Sequence, residues 1–405
     1  IDCQPYRSRA PVSRVTAETL PPLTPEESAH SEALLARIRR EIESHQGWIS
    51  FGRFMEMALY EPGLGYYSAG AVKFGSAGDF VTAPEISALF SRCVAAQCAE
   101  VLAALGGGDI LELGAGSGVM AADMLGELEA LGHLPRRYLI LELSAALRER
   151  QLALLAERAP RHLDRVAWLE ALPQSHQGLI VANEVLDAIP VERFRVRGDK
   201  INALGVTWHG PGLDWSEVRA RRELSMKVRA IERDVGHPFP DGYTSELNLR
   251  YPPWIASLAQ PLTHGVMLFI DYGLPRRQYY RPERHAGTLL CHFRHRFHDD
   301  PFAHVGLQDI GAWVDFTRVA EAGTDAGLKL AGFTTQAHFL MGSGIERYLA
   351  AITQAEVAER VSIARQAMLL TLPAEMGERF KVMALTRRYD RPMSGFTIRD
   401  LAASL

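Results

Sequence analysis

The stretch Asp109-Ile-Leu-Glu-Leu-Gly-Ala-Gly-Ser-Gly-Val119 combines an apolar run with a turn carrying glycines at 114, 116 and 118. Glycines at that spacing let the backbone bend sharply and approach a ligand that a Cβ would exclude. A helix opening at about Met120 would aim its first N–H groups at the same ligand. The pattern predicts a nucleotide-like cofactor, with Gly114, Gly116, Gly118 and the adjoining Glu112 as its first contacts. A dinucleotide fingerprint needs Gly-x-Gly-x-x-Gly, and Val119 stands where its third glycine would be. Gly-x-Gly-x-Gly fits S-adenosylmethionine instead, whose short amino-acid portion would lie along the turn without a pyrophosphate.

Two further groups of polar residues sit where such a ligand would need them. Glu142 ends the run Tyr138-Leu-Ile-Leu-Glu142, the position from which a carboxylate accepts both ribose hydroxyls. Asn183-Glu-Val-Leu-Asp187 follows a buried-looking strand, and open α/β sheets bind ligands at the carboxyl ends of their strands. Asn183 and Glu184 are costly there unless partnered, although a helix-capping role rivals ligand binding for Asn183. Asp79 lies in the loop Gly78-Asp-Phe-Val-Thr-Ala-Pro-Glu85, with Thr82 and Glu85 as weaker companions. An Asx turn is the alternative for Asp79. Asp271 and Tyr272 end a later strand and are expected at the same rim.

These positions require an alternating frame. Apolar strands are expected at 110–113, 138–141, 166–168, 178–182 and 266–270, with helices near 120–131 and 145–158. That alternation predicts an α/β fold with a parallel, doubly wound, Rossmann-like sheet. Two later strands, 329–339 and 380–387, bring the count to seven, the last pair as an antiparallel hairpin at the edge. Residues 1–27 read as an extended Pro-rich arm and 28–108 as a helical cap carrying the Asp79 loop. Core halves are expected at 109–191 and 264–405. The interval 192–263 is an insertion, with a β-hairpin turning at Gly198-Asp199 and a helical stretch over 247–262 broken by Pro252-Pro253.

With a formal net charge of −4, the 405 residues make no general electrostatic case for nucleic-acid or membrane binding. No apolar run reads as long enough to span a bilayer. Four cysteines without a Cys-x-x-Cys pair fit a reducing compartment. The chain begins at Ile1, and a processed organellar presequence is left open. Histidines at 285, 292, 295, 298 and 304 lack metal-ligand spacing, so no metal is expected.

Taken in order, several runs closely resemble the MidA family of class I S-adenosylmethionine-dependent methyltransferases. They are Tyr60-Glu-Pro-Gly-Leu-Gly-Tyr-Tyr67, Gly78-Asp-Phe-Val-Thr-Ala-Pro-Glu-Ile-Ser87, Glu112-Leu-Gly-Ala-Gly-Ser-Gly118, Asn183-Glu-Val-Leu-Asp-Ala-Ile-Pro-Val191, Ile270-Asp-Tyr-Gly273, Val314-Asp-Phe316 and Met376-Gly-Glu-Arg-Phe-Lys381. The resemblance implies a seven-strand methyltransferase sheet and a protein substrate. The family's mitochondrial branch is linked to arginine methylation and respiratory complex I assembly. A cytoplasmic location is implied for a bacterial chain and the mitochondrial matrix for a eukaryotic one; a homodimer is left open. Glu184 and Glu192 are similar to the paired glutamates of protein-arginine methyltransferases, which would hold a guanidinium, and with Asp79 they are the candidate catalytic residues. Rival readings are a small-molecule acceptor, or a cofactor-binding assembly factor with little turnover. Trp313 stands where the family commonly has histidine, which leaves it a packing residue or an aromatic wall.

Overall fold

The structure, a computed structural model, describes residues 13–14, 20–69, 82–351 and 356–405. Asp79 and Phe80 therefore lie outside the described residues. Seven strands build the central sheet: β1 (Asp109–Leu113), β2 (Tyr138–Leu141), β3 (Val166–Leu169), β4 (His176–Asn183), β5 (Leu262–Leu274), β6 (Lys329–Thr335) and β7 (Phe380–Arg387). Their spatial order is 3-2-1-4-5-7-6, with β7 antiparallel to both neighbours and the other pairs parallel. The two-residue strand Val314–Asp315 adds to the end of β5.

The strand sequences explain this layering. Helices cover a parallel sheet on both faces, so its strands are apolar almost throughout. Ile110, Ile140, Val181 and Leu268 enter one core, whereas their neighbours Leu111, Leu139, Ile180 and Met267 enter the other. The helix Ala88–Leu105 packs on the first face against Val119–Ala130. It is long and apolar enough by length and composition to cross a bilayer, contrary to the sequence expectation, but two-thirds of it is buried inside the protein.

Several boundaries differ from those expected. The first helix starts at Pro25, because Thr24 and Glu27 close a reciprocal capping box just ahead of it. β6 stops at Thr335, whose hydroxyl accepts from the His338 N–H and opens the helix Gln336–Gly342. The last two strands are antiparallel, yet no hairpin joins them: helices intervene and β7 inserts between β5 and β6. In the insertion, Thr244–Leu247 is a strand and the helix runs over Tyr251–Ala259. Pro252-Pro253 falls in its first turn, where a missing N–H does no harm.

The insertion carries the expected hairpin, Glu192–Arg197 and Lys200–His209, turning at Gly198-Asp199. Gly212–Arg219, a helix over Arg222–Val235 and Thr244–Leu247 complete it. Ile49–Ser50 from the N-terminal region joins the same sheet, pairing with Val206 and Gly205. The contact is close: a Cβ at Gly205 would lie 2.2 Å from the Ile49 carbonyl oxygen. Leu34, Phe54, Val206, Cys291 and Ile310 share one hydrophobic cluster, so cap, insertion and the segment around 289–312 pack as a single layer.

Candidate active site

A cavity of about 830 Å3 lies across the carboxyl ends of β1, β2 and β4. Each of the three glycines of the turn after β1 has a positive φ, 63° at Gly114, 56° at Gly116 and 90° at Gly118. Space is tight as well: a Cβ would sit 3.2 Å from Val185 Cγ2 at Gly114 and 3.3 Å from the Gln151 Cα at Gly118. Ser117 within the turn donates to the Glu85 carboxylate, which ties the helix Ala83–Ile86 to the turn. Gly114, Gly116, Ser117, Thr82 and Glu85 all line the cavity.

Glu142 faces the cavity from the end of β2, nearly buried. It accepts from the Ser144 N–H at 2.9 Å and from the Gln151 side-chain amide at 3.2 Å. Gln151 is fully buried and uses both ends of its amide. Its Nε2 also donates to the Gly116 carbonyl at 3.0 Å, and its Oε1 accepts from Trp168 Nε1 at 2.8 Å. One side chain thus couples the glycine turn to the ribose-binding candidate. Sequence reasoning passed over it, although Leu147, Gln151 and Leu155 share the i, i+4 spacing of a buried helix face. Glu112 also borders the cavity. Tyr138 donates to it at 2.6 Å, and burial pushes its carboxyl up to about 7.

At the β4 end, Asn183 and Glu184 line the cavity together with Ala188, Ile189 and Pro190. Glu184 holds a left-handed backbone at φ 52°, a strained state for a residue with a side chain. Its N–H is fixed on the Ile270 carbonyl at 2.9 Å. Its carboxyl receives the Ala83 N–H and the Asn183 amide, while burial, reinforced by the charge of Asp187, pushes it up to about 8. Among the described residues Asn183 Oδ1 is buried without a hydrogen-bond partner, an acceptor left for a ligand.

Several expected residues are placed off the cavity wall, Gly118 among them, although its neighbours Ser117 and Val119 line it. Glu192 is not among the lining residues. It accepts from the Ser50 hydroxyl at 3.0 Å and from the Gly52 N–H, which commits it to the N-terminus of the helix Phe51–Tyr60. The pairing of Glu184 with Glu192 is therefore not formed at the cavity. Asp187 lies behind the wall, where it accepts from the Tyr272 hydroxyl. Asp271 holds the turn after β4: its carboxylate accepts from the Leu186, Asp187 and Tyr272 N–H groups at 2.9, 3.2 and 2.8 Å. Trp313 packs against the insertion core with Arg284 stacked 5.3 Å over its ring, and it does not reach the cavity.

Other lining residues carry chemistry that the motif reading did not assign: Tyr60, Tyr67, and the ion pair of Arg250 with Glu56 at 2.6 Å. The described lining contains five carboxyl groups (Glu56, Glu85, Glu112, Glu142 and Glu184) against the single guanidinium of Arg250. Glu56 is paired with that guanidinium, burial raises Glu112 to about 7 and Glu184 to about 8, and an arriving cation would favour ionisation of both. Such a wall favours cationic ligands, and a sulfonium is one. The positive-φ turn, the Glu142 carboxylate and the unpartnered Asn183 oxygen together fit an S-adenosylmethionine-sized ligand.

Comparisons agree with this geometry. The model of the family described as "Putative S-adenosyl-L-methionine-dependent methyltransferase" matches residues 93–334. A crystal structure from Burkholderia thailandensis bound to S-adenosyl-homocysteine superposes with a TM-score of 0.92 at 41% identity, covering 96% of this chain and 100% of that one. The Drosophila melanogaster "Protein arginine methyltransferase NDUFAF7 homolog, mitochondrial" is 28% identical, over 89% of this chain and 86% of that protein. Its Homo sapiens counterpart is 26% identical, over 87% and 83%. The spatial order of the sheet, the glycine turn and these matches lead to one assignment: the chain belongs to the MidA-like family of S-adenosylmethionine-dependent methyltransferases.

Proposed function

We propose that this methyltransferase acts on a protein and methylates a guanidinium nitrogen of arginine. The observation that carries the reading is Glu184: a half-buried carboxyl on a strained backbone that lines the cavity beside four further carboxyl groups. The fly and human relatives named as protein arginine methyltransferases support the same acceptor.

In this reading the turn at Gly114, Gly116 and Gly118 cradles the amino-acid portion of S-adenosylmethionine, with Glu112 beneath it. Glu142, oriented by Gln151 and Ser144, accepts the ribose hydroxyls, and Asn183 Oδ1 takes a donor from the cofactor. Thr82 and Glu85 close the turn from above. The bound cofactor supplies a methyl carbon already made electrophilic by its sulfonium. The protein's task is then alignment and exclusion of water. An arriving guanidinium favours the ionised form of Glu184 and is oriented by it through charge-assisted hydrogen bonds. In this reading the attacking nitrogen would form the C–N bond as the C–S bond breaks and leaves its electrons on sulfur, and the proton lost from that nitrogen would pass to the ionised Glu184 carboxylate. Asp187 and Asp271 act through the turn they hold, and Glu192 through the helix it caps. Asp79, outside the described residues, remains a candidate catalytic residue on the family resemblance alone.

The test is transfer of labelled methyl groups from S-adenosylmethionine to lysate proteins, followed by identification of the modified residue. Label on arginine, lost with Glu184→Gln, is the expected result. Label confined to small molecules, or on another side chain, overturns the reading.

A further inference from the structure

Resting on the arginine reading, we propose that Tyr60, backed by Tyr67, is an aromatic platform that receives the cationic side chain of the acceptor and sets specificity for it. Most large aromatic side chains of this protein are buried, but Tyr60 is 40% exposed and borders the cavity. Its ring is stacked on Tyr67 at 5.5 Å between centroids and 23° between planes. Tyr67 in turn meets buried Tyr66 edge-on at 5.0 Å and 79°.

The arrangement is rigid for reasons visible in the backbone. The helix Phe51–Tyr60 ends at Tyr60, and the chain folds straight back, so that the Tyr66 and Tyr67 N–H groups bond the Ala58 and Leu59 carbonyls. Gly65 makes that return fit; a Cβ there would lie 2.5 Å from the Glu61 nitrogen. Both phenol hydroxyls are already committed, Tyr60 to the Ala188 carbonyl at 3.0 Å and Tyr67 to the Asp309 carboxylate at 2.9 Å. What Tyr60 has left for a ligand is the face of its ring. A ring face attracts cations, and desolvated sites strengthen that attraction. Ala188, which anchors the Tyr60 hydroxyl, belongs to the same cavity-lining segment as Glu184. Ring face and carboxylate can thus hold one flat cation between them.

The experiment titrates N-ethylguanidinium chloride and its neutral isostere N-ethylurea into protein saturated with S-adenosyl-homocysteine, by calorimetry. Wild-type protein should prefer the guanidinium by about tenfold or more. Tyr60→Phe, which keeps the ring, should stay within about twofold of wild type. Tyr60→Leu should lose about tenfold, with S-adenosyl-homocysteine affinity unchanged in both. Equal binding of guanidinium and urea by wild type overturns the platform without reference to any variant, so a Tyr60→Leu protein that failed to fold would not protect it. Tyr60→Leu binding as tightly as wild type overturns it too. Label on a residue other than arginine, with Tyr60-dependent guanidinium binding intact, removes the arginine reading and leaves the platform. Label on arginine with an acceptor KM that Tyr60→Leu does not change removes the platform and leaves the reading.

Discussion

Replacing Glu184 by glutamine should make the protein more stable and less active, and the stability gain should depend on pH in a calculable way. The folded protein holds the Glu184 proton up to about pH 8, against an ordinary value of 4.5, chiefly because burial disfavours the charged form. A raised folded pKa contributes stability that is fully present below the unfolded value and is lost as pH climbs through the folded one. At 1.36 kcal/mol per unit, the loss between pH 6 and pH 9 is roughly 2.5 kcal/mol, nearly all of it complete by pH 8. Glutamine is close in shape to the protonated acid and has nothing to ionise. Urea unfolding of wild type and Glu184→Gln at pH 6, 7, 8 and 9 should therefore show the variant's advantage growing by that amount and levelling off above pH 8. Subtracting the two curves removes the titrating groups that do not interact with Glu184; Asp187, which burial lifts to about 6, does interact with it and shares in the difference. Activity should move oppositely: losing a charge-assisted contact to the acceptor should lower kcat/KM by roughly 10- to 150-fold. A stability difference that stays flat from pH 6 to pH 9 would refute the claim that Glu184 is protonated in the empty site.

Glu142→Ala should weaken S-adenosyl-homocysteine binding by roughly 10- to 150-fold in calorimetry; unchanged affinity would remove it from the ribose site. Gly118→Ala forces an alanine into φ 90° with its Cβ 3.3 Å from Gln151, and should cost about 1–2 kcal/mol in chemical denaturation while weakening cofactor binding. Asp271→Ala leaves three buried N–H donors without their acceptor and should destabilise the fold by about 3 kcal/mol or more. Asp271→Asn, which keeps a carbonyl acceptor, should recover much of that loss, and equal damage from both variants would show that the charge rather than the hydrogen bonding matters.

What the sequence revealed depended on how local the cause was. The frame was legible because strands covered on both faces are largely apolar, as in Tyr138–Leu141 and the Leu179–Ala182 part of β4, and because the glycine turn has its reason within five residues. Thr335 illustrates the limit of pattern: its run reads as continuing strand, but one hydroxyl opens a helix there. Glu192 illustrates distance. Its position nine residues after Asn183 invites a second acceptor carboxylate, yet its partner Ser50 is 142 positions away in the chain. No local pattern encodes that contact. It exists because Ile49–Ser50 pairs with the insertion hairpin and so delivers a helix N-terminus to Glu192. Gln151 is the opposite case, for its buried spacing was present and only its polarity hid it.

The two fates of Glu184 and Glu192 become one arrangement when the helix Phe51–Tyr60 is followed along its length. Its first turn leaves N–H groups without intrahelical partners, and Ser50 and the Glu192 carboxylate satisfy those of Arg53 and Gly52. Ten residues span about 15 Å, so the helix carries the position fixed at Glu192 to its far end, where Tyr60 faces the cavity beside the segment that holds Glu184. Glu184 reaches that same cavity directly, from the turn after β4 that Asp271 clamps. The two glutamates therefore converge on one site by different routes, one through its own carboxyl and the other through a rigid element and an aromatic ring. Under the proposed arginine reading, the Glu184 carboxylate and the Tyr60 ring face are the two groups that would hold the cation, without a second carboxylate at the acceptor.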